Sequence, residues 1–370
     1  MNSHHLVAFL TLIGSYIALH YYSAAWLARS FALSAGMKRN LLIALLLLAL
    51  FGPLTMLLRH PYIGPALAPI YLAGYTWMGI ILLAGVIFLF SDLLGLGLQR
   101  LLSQADMRFF RFGTVVFAGG MILLSLYNGL KTPGFRELKL SVPGLPAAME
   151  GLKIIQLSDL HIDTAYKLEQ YSEIVNGVNT RAPDLVLVTG DLPDPGLPSD
   201  GRLAELTRRL KPRLGVFGVF GNHEYYYGYE RSLALYKECG INLLRNESSD
   251  AAGFRIIGLN DIMTENMTEK EVAAILNKHR SPGFSILMTH QPVMLDLMAE
   301  NGNFIGFSGH THRGQLFPFH ILTRMGYKYF YESYHIRDSF FYITSGAGTW
   351  GLPMRLFAPT EIPVVTLTGK

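Results

Sequence analysis

Residues 152–161 read LKIIQLSDLH, an apolar run of strand length that stops on an aspartate and a histidine. Five further stretches have the same form: DLVLVTGD (184–191), LGVFGVFGN (214–222), FRIIGLND (254–261), FSILMTH (284–290) and NFIGFSGH (303–310). Short apolar runs with such polar ends read as buried strands. Between several of them lie amphipathic stretches with helical spacing, at 168–180, 203–210 and 268–279. Strand, helix and strand in succession predict an α/β domain built with crossover connections.

What stands after each strand carries the chemistry. The runs end in SDLH, TGD, FGNHE, MTHQP and SGHTH, so metal-capable side chains recur at one end of strand after strand. In an α/β sheet the carboxyl ends converge on one rim, where ligands bind. Asp159, Asp191 and Asn222 follow one another at intervals of 32 and 31 residues, about one βαβ unit each, which predicts neighbours in space. Five of the twelve histidines (His161, His223, His290, His310 and His312) fall at these places. Aspartate, neutral histidine and an asparagine carbonyl suit Mn²⁺, Fe²⁺ or Zn²⁺, with no thiolate to favour a softer ion. Seven such groups exceed the needs of one tetrahedral zinc and match two ions sharing a carboxylate. Paired ions about 3.5–4 Å apart clamp the attacking and leaving oxygens of an in-line displacement, which is phosphoester chemistry.

The chain ahead of these strands has a different character. Up to Leu130 there are seven Lys/Arg and two Asp/Glu, against 24 and 25 in the remainder. Segments 6–27, 41–58, 70–90 and 112–130 contain no Lys, Arg, Asp or Glu, and each is long enough to cross a bilayer. Arg29, Lys38, Arg39, Arg100, Arg108 and Arg111 flank the first and third connections. Arg59 lies in the second, and Lys131, Arg136 and Lys139 follow the last span. Six basic residues against four predict cytoplasmic first and third connections, with both termini and the catalytic domain outside the cytoplasm. The location expected is the plasma (inner) membrane. His20, inside the first span, is expected to donate a hydrogen bond between helices. The basic excess of +4 belongs to the apolar part, so the lipid bilayer is the expected partner and nucleic acid is not. One cysteine, Cys239, excludes an intrachain disulfide and is read as a buried thiol.

SDLH, GD, GNHE, an isolated TH and GHTH, in that order, resemble the motifs of the calcineurin-like metallophosphoesterases, from about residue 135 onward. The spans ahead of them make the whole chain similar to membrane-anchored members of that superfamily. The resemblance implies a four-layer αββα sandwich of two mixed sheets flanked by helices, here preceded by an all-α four-helix transmembrane region. It implies Asp159, His161 and His312 on one ion, Asn222, His290 and His310 on the other, and Asp191 bridging. It also implies attack by a metal-bridging hydroxide, with His223 protonating the leaving oxygen. The expected divisions are 1–130 (transmembrane), 131–151 (connection and first strand, around RELKLSV) and 152–370 (catalytic).

The expected function is thus a membrane-anchored, metal-dependent phosphodiesterase or phosphatase acting on a phosphoester, lipid-linked or from the envelope. The alternative is a membrane sensor or assembly protein that binds metal without chemistry. GDLPDP places prolines behind the bridging aspartate where relatives are more polar, and GHTHRGQ places Arg313 where a small residue is usual. Arg313 either grips a phosphate or faces solvent. Glu224 either orients His223 or, as expected here, stands in a solvated loop, and His320 and His335 are expected on the surface. One tyrosine of Tyr225–Tyr227 is expected at the pocket. GAGTWG (346–351) has the form of a dinucleotide fingerprint, but Pro353 denies it a helix, so it reads as a loop. The apolar TWGLPMRLF that continues it either packs on the core or forms an interfacial surface.

Overall fold

The computed structural model describes residues 3–56 and 64–369, so Arg59 of the charge pattern lies outside the described residues. The chain divides into two units, a helical one (Met1–Leu130 with Gly351–Leu356) and a larger one (Lys131–Trp350 with Phe357–Lys370).

The helical unit holds α1 (Ser3–Ser30), α2 (Ala35–Met56), α3 (Gly64–Leu98) and α4 (Gln104–Leu130). Among the described residues, Ala35–Met56, Leu67–Leu98 and Gln104–Leu130 are long and apolar enough to cross a membrane, and α1 is not among them. Few apolar groups drive helices together in lipid, so polar ties and close packing matter more. Trp26 stacks on Phe88 at 4.1 Å, Ser91 hydrogen-bonds Thr114, and Asp92 accepts from Tyr22 and Arg29. His20 does join two helices, in the opposite sense from that expected. Its Nε2 accepts from the Trp77 indole at 3.0 Å while its Nδ1 faces the Tyr16 carbonyl at 2.8 Å. The segment Gly351–Leu356 belongs with these helices: Met354, Arg355 and Leu356 are buried, and the Arg355 amide donates to the Ser125 carbonyl.

The larger unit holds two six-stranded sheets. The first runs β1 (Gly134–Ser141), β12 (Glu361–Thr368), β2 (Lys153–Leu157), β3 (Leu185–Val188), β4 (Val216–Gly218), β5 (Asn242–Leu243). The second runs β10 (Glu332–Ile336), β11 (Ser339–Ile343), β9 (Asn303–Ser308), β8 (Phe284–Met288), β7 (Phe254–Gly258), β6 (Glu247–Ala251). Alternation along the strands explains the layers, because successive side chains point to opposite faces. Ile154, Leu185, Leu187 and Phe217 meet Ile256, Ile286, Met288 and Ile305 between the sheets. Ile155, Leu157, Val186 and Val188 point the other way, under α5 (Ala165–Thr180), α6 (Arg202–Arg208) and α8 (Tyr229–Cys239), where Cys239 is also buried. Ile257 and Leu287 face α9 (Glu269–Lys278) and α10 (Leu295–Glu300) on the far side. The order is therefore helix, sheet, sheet, helix, as the resemblance implied. The unit also holds α7 (Asn222–Tyr227) and α11 (Phe319–Gly326). Residues 346–351 form a loop after β11.

Gly129 of α4 gives a test of the close packing in the helical unit. A methyl group there would stand 2.5 Å from the Pro353 carbonyl oxygen. Gly129→Ala is expected to destabilise this unit by about 1–3 kcal/mol, the usual range for overpacking. It should appear as a lower thermal midpoint in detergent, with Gly119→Ala, which has open space around it, as the unperturbed control.

Candidate metal centre

Strands β2, β3 and β4 are parallel, as are β7, β8 and β9, so the loops leaving them share one edge of each sheet. Asp159 and His161 follow β2, and Asp191 follows β3. Asn222 and His223 open α7 after β4, while His290 follows β8 and His310 and His312 follow β9. Five of these residues sit in the left-handed region: Asp159 (φ 55°), His161 (48°), Asp191 (55°), His310 (68°) and His312 (47°). Each such placement costs energy for a non-glycine residue and persists only where the surroundings enforce it. Hydrogen bonds between loops do so here: Asp159 N to Gly190 O, His161 N to Asp191 O and Gly309 N to His290 O, all at 2.9–3.1 Å. Buried Gln156 ties the sheets together, donating to Thr189 Oγ1 and to the Ser308 carbonyl. Gly221 allows a close approach, since a Cβ there would lie 2.3 Å from Asp191 Oδ1.

The side chains of these residues converge. His161 Nε2 faces His312 Nε2 at 2.9 Å, and His312 Nε2 lies 3.4 Å from Asp159 Oδ1. On the other side of Asp191, His290 Nε2 is 3.2 Å from both Asp191 Oδ2 and Asn222 Oδ1. His310 Nδ1 is 3.0 Å from Asn222 Oδ1 and 3.2 Å from His290 Nε2. Asp191 Oδ2 also lies 3.6 Å from His161 Nε2, so this one carboxylate touches both groups. These spacings fit a metal shell. Ligands about 2.1 Å from an ion stand roughly 3.0–3.4 Å apart in octahedral or tetrahedral arrangement. Lone pairs facing one another at such distances in a dry pocket repel unless a cation or proton sits between them. Asp159, His161 and His312 form one group able to hold a metal ion, and Asp191, His290 and His310 another.

Charge in the pocket is set by burial and by Asp191. Burial, then repulsion from His290, pushes the His310 imidazole down to about 3, leaving it neutral with a free lone pair. Burial disfavours charge on His290 too, but Asp191 beside it wins and holds its pKa well above the ordinary value. Asp191 moves the opposite way: burial opposes its charge, and His290, His223 and His161 bring its pKa below the ordinary carboxylate range.

Three further groups complete the centre. Asp194, fully buried, makes a short contact with His223 Nδ1 and lies 3.6 Å from His161 Nδ1. Burial works against a charged His223, yet Asp194 and Asp191 raise its pKa above the ordinary value, which favours the imidazolium. The signal was in GDLPDP, where Asp194 stands between two prolines and Ile162 bridges to Pro193. Glu224 is no solvated loop residue: it is fully buried and accepts from the amides of Asp191, Leu192 and Gly221 and from the Tyr236 hydroxyl. Burial, with Asp191 nearby, pushes its pKa up to about 7. The third group is aromatic. Tyr226 and Trp350, 65% and 53% exposed, present their rings edge-on to His223 at 5.0 and 6.2 Å. Gln315 fixes Trp350 by bonding both its amide and its carbonyl. The Arg313 guanidinium lies over the Tyr331 ring at 4.3 Å. His335 is exposed and stacks on Phe340, while His320 is half-buried beside Phe317.

A family model described as calcineurin-like phosphoesterase matches residues 152–314. A Helicobacter pylori protein described as an uncharacterized metallophosphoesterase is 32% identical over 266 residues, covering 71% of each chain. An uncharacterized metallophosphoesterase of Aquifex aeolicus is 30% identical over 262 residues, 67% of this chain and 98% of that one. A zebrafish (Danio rerio) protein described as a transmembrane protein with metallophosphoesterase domain is 30% identical over 270 residues, 68% of this chain and 61% of that one.

Glu224 provides the test of how the centre is held. Glu224→Ala strands three buried amides, each worth roughly 1–3 kcal/mol when left unpaired. The variant should therefore lose about 3 kcal/mol or more in thermal or denaturant unfolding, and bind divalent metal more weakly because Asp191 loses its support. Glu224→Gln, which keeps one acceptor oxygen, should fall between it and the parent.

Proposed function

Because the chain belongs to the calcineurin-like metallophosphoesterases, we propose that it is a membrane-anchored hydrolase of phosphoesters. The observation that carries this reading is Asp191, one buried carboxylate touching two groups of converging donors, with His223 and Asp194 at their edge. Asp159, His161 and His312 would hold one divalent ion, Asn222, His290 and His310 a second, and Asp191 both. Such ions, drawn from Mn²⁺, Fe²⁺ and Zn²⁺, polarise a phosphoryl group and supply an ionised water near neutral pH.

The chain's own part is to bind, orient and move a proton. Asp194 engages Nδ1 of His223, which leaves Nε2 as the nitrogen free to carry a transferable proton. The raised pKa favours keeping that proton in place, as a general acid requires. The rings of Tyr226 and Trp350 stand beside His223 and would lie against the departing group. For the substrate we favour a phosphodiester or phosphomonoester attached to a lipid or an envelope polymer, handled on the extracytoplasmic face of the plasma membrane. The apolar helices and the basic residues flanking the first and third connections support that choice.

Detergent-purified protein with added Mn²⁺ tests the assignment through metal content and hydrolysis of bis-p-nitrophenyl phosphate. The parent is expected to hold about two ions per chain. Asp191→Ala should lose metal and turnover together. His223→Ala and Asp194→Asn should keep the metal while turnover falls about 10²–10⁴-fold, the usual contribution of a general acid. Metal bound without turnover of any phosphoester, lipid-linked ones included, would make the domain a metal-binding sensor. A further comparison, of lipid-linked and lipid-free diesters, should favour the lipid-linked one, and equal turnover would remove the lipid from the proposal.

A further inference from the structure

Helix α11 is amphipathic with its faces reversed. At 100° per residue, Phe319, Ile321, Leu322 and Met325 share one arc and His320, Thr323 and Arg324 the other. The apolar arc is the one turned outward: these four side chains are 40%, 56%, 61% and 79% exposed, whereas His320 and Thr323 are half-buried. A soluble surface helix buries its apolar stripe and wets its polar one. A contiguous exposed apolar face of this kind marks a surface that something apolar covers. The helix follows directly from the turn that carries His312, with the Phe319 amide donating to the Leu316 carbonyl. Exposed Phe357 packs its ring near Phe317 at 6.2 Å, extending the same apolar rim.

We propose that α11 lies in the headgroup layer of the bilayer that its own chain crosses, with its apolar arc toward the acyl chains. Lipid is the occupant favoured by what surrounds the helix in sequence. Among the described residues, three helices are long and apolar enough to span a membrane. Residues 131–133 alone separate α4 from β1, a leash of roughly 10 Å when fully extended. The helix carries no acidic residue, and exposed Arg324 at its edge suits anionic headgroups. An interfacial helix needs a strong apolar face, and it does not need to span. The inference rests on the membrane-spanning part of the functional reading and not on hydrolysis.

Full-length protein in nanodiscs containing anionic lipid tests it. With Cys239 replaced (Cys239→Ala), an environment-sensitive NBD label is attached in turn to Met325→Cys, Arg324→Cys and Leu123→Cys, the last on an exposed position of α4. A label on the apolar arc should sit roughly 5–10 Å into the headgroup and acyl boundary, so shallow nitroxide lipids should quench it about twofold or more beyond the Arg324 label. Its emission should also be blue-shifted. A Met325 label that stays water-like while the Leu123 label is in lipid overturns the proposal. If the Leu123 label is itself in water, the membrane reading falls with it. A blue-shifted Met325 label that lipid nitroxides do not quench, and that reverts on dilution with empty discs, would assign the face to a second copy and equally overturn it.

Discussion

Asp191 is a carboxylate buried among imidazoles, and burying such a charge is expensive unless cations or hydrogen bonds answer it. Its neighbours show how the answer is arranged. One oxygen accepts from the His223 amide, the other lies against His161 and His290, and its own amide is held by Glu224. Glu224 in turn reaches Leu192, Gly221 and Tyr236, so the loops after β3 and β4 and the helix α8 are bound into one polar knot. The repulsion among the facing lone pairs is what the strained backbone at Asp159, His161, Asp191, His310 and His312 withstands.

The sandwich makes that strain sustainable. Three apolar layers, one between the sheets and one under each flanking set of helices, fix the strand ends that the loops leave from. Gln156 then pins the two sheets to each other directly beneath the centre. The result is a site whose candidate ligands come from five loops yet whose spacing is set by stiff β-structure, which is how preorganised centres hold their geometry.

Much of this was legible in the chain. The strands announced themselves as short apolar runs with aspartate or histidine at the end, and their order and spacing placed Asp159, Asp191 and Asn222 side by side. What could not be read was any contact that depends on three dimensions without leaving a motif. Glu224 looks like an ordinary loop acid until the amides of Asp191 and Leu192 are seen to surround it. Asp194 was passed over because the two prolines around it drew attention as departures. Gln315 and Trp350 are far apart in sequence, and neither is a chemical group that pattern reading flags. Of the four segments without charge, three fall in helices long and apolar enough to cross a membrane, whereas the sense of the His20 hydrogen bond depended on a tautomer set by Tyr16. The inverted face of α11 was invisible for a related reason: periodicity reveals that a helix has two faces but not which of them the fold turns inward.

Strand β12 lies between β1 and β2, parallel to the first and antiparallel to the second. At its start, Glu361 gathers Arg136, Tyr331, Tyr342, Thr344 and the Ser345 amide. The strand that emerges right after the membrane helices therefore waits, unpaired, until almost the whole catalytic unit has left the ribosome. Until then it is an open sheet edge, with unpaired backbone groups able to pair with another chain. Without β12, β1 would have no partner strand and β2 would keep only β3, although Asp159, His161, Asp191, Asn222, His290, His310 and His312 would all still be present.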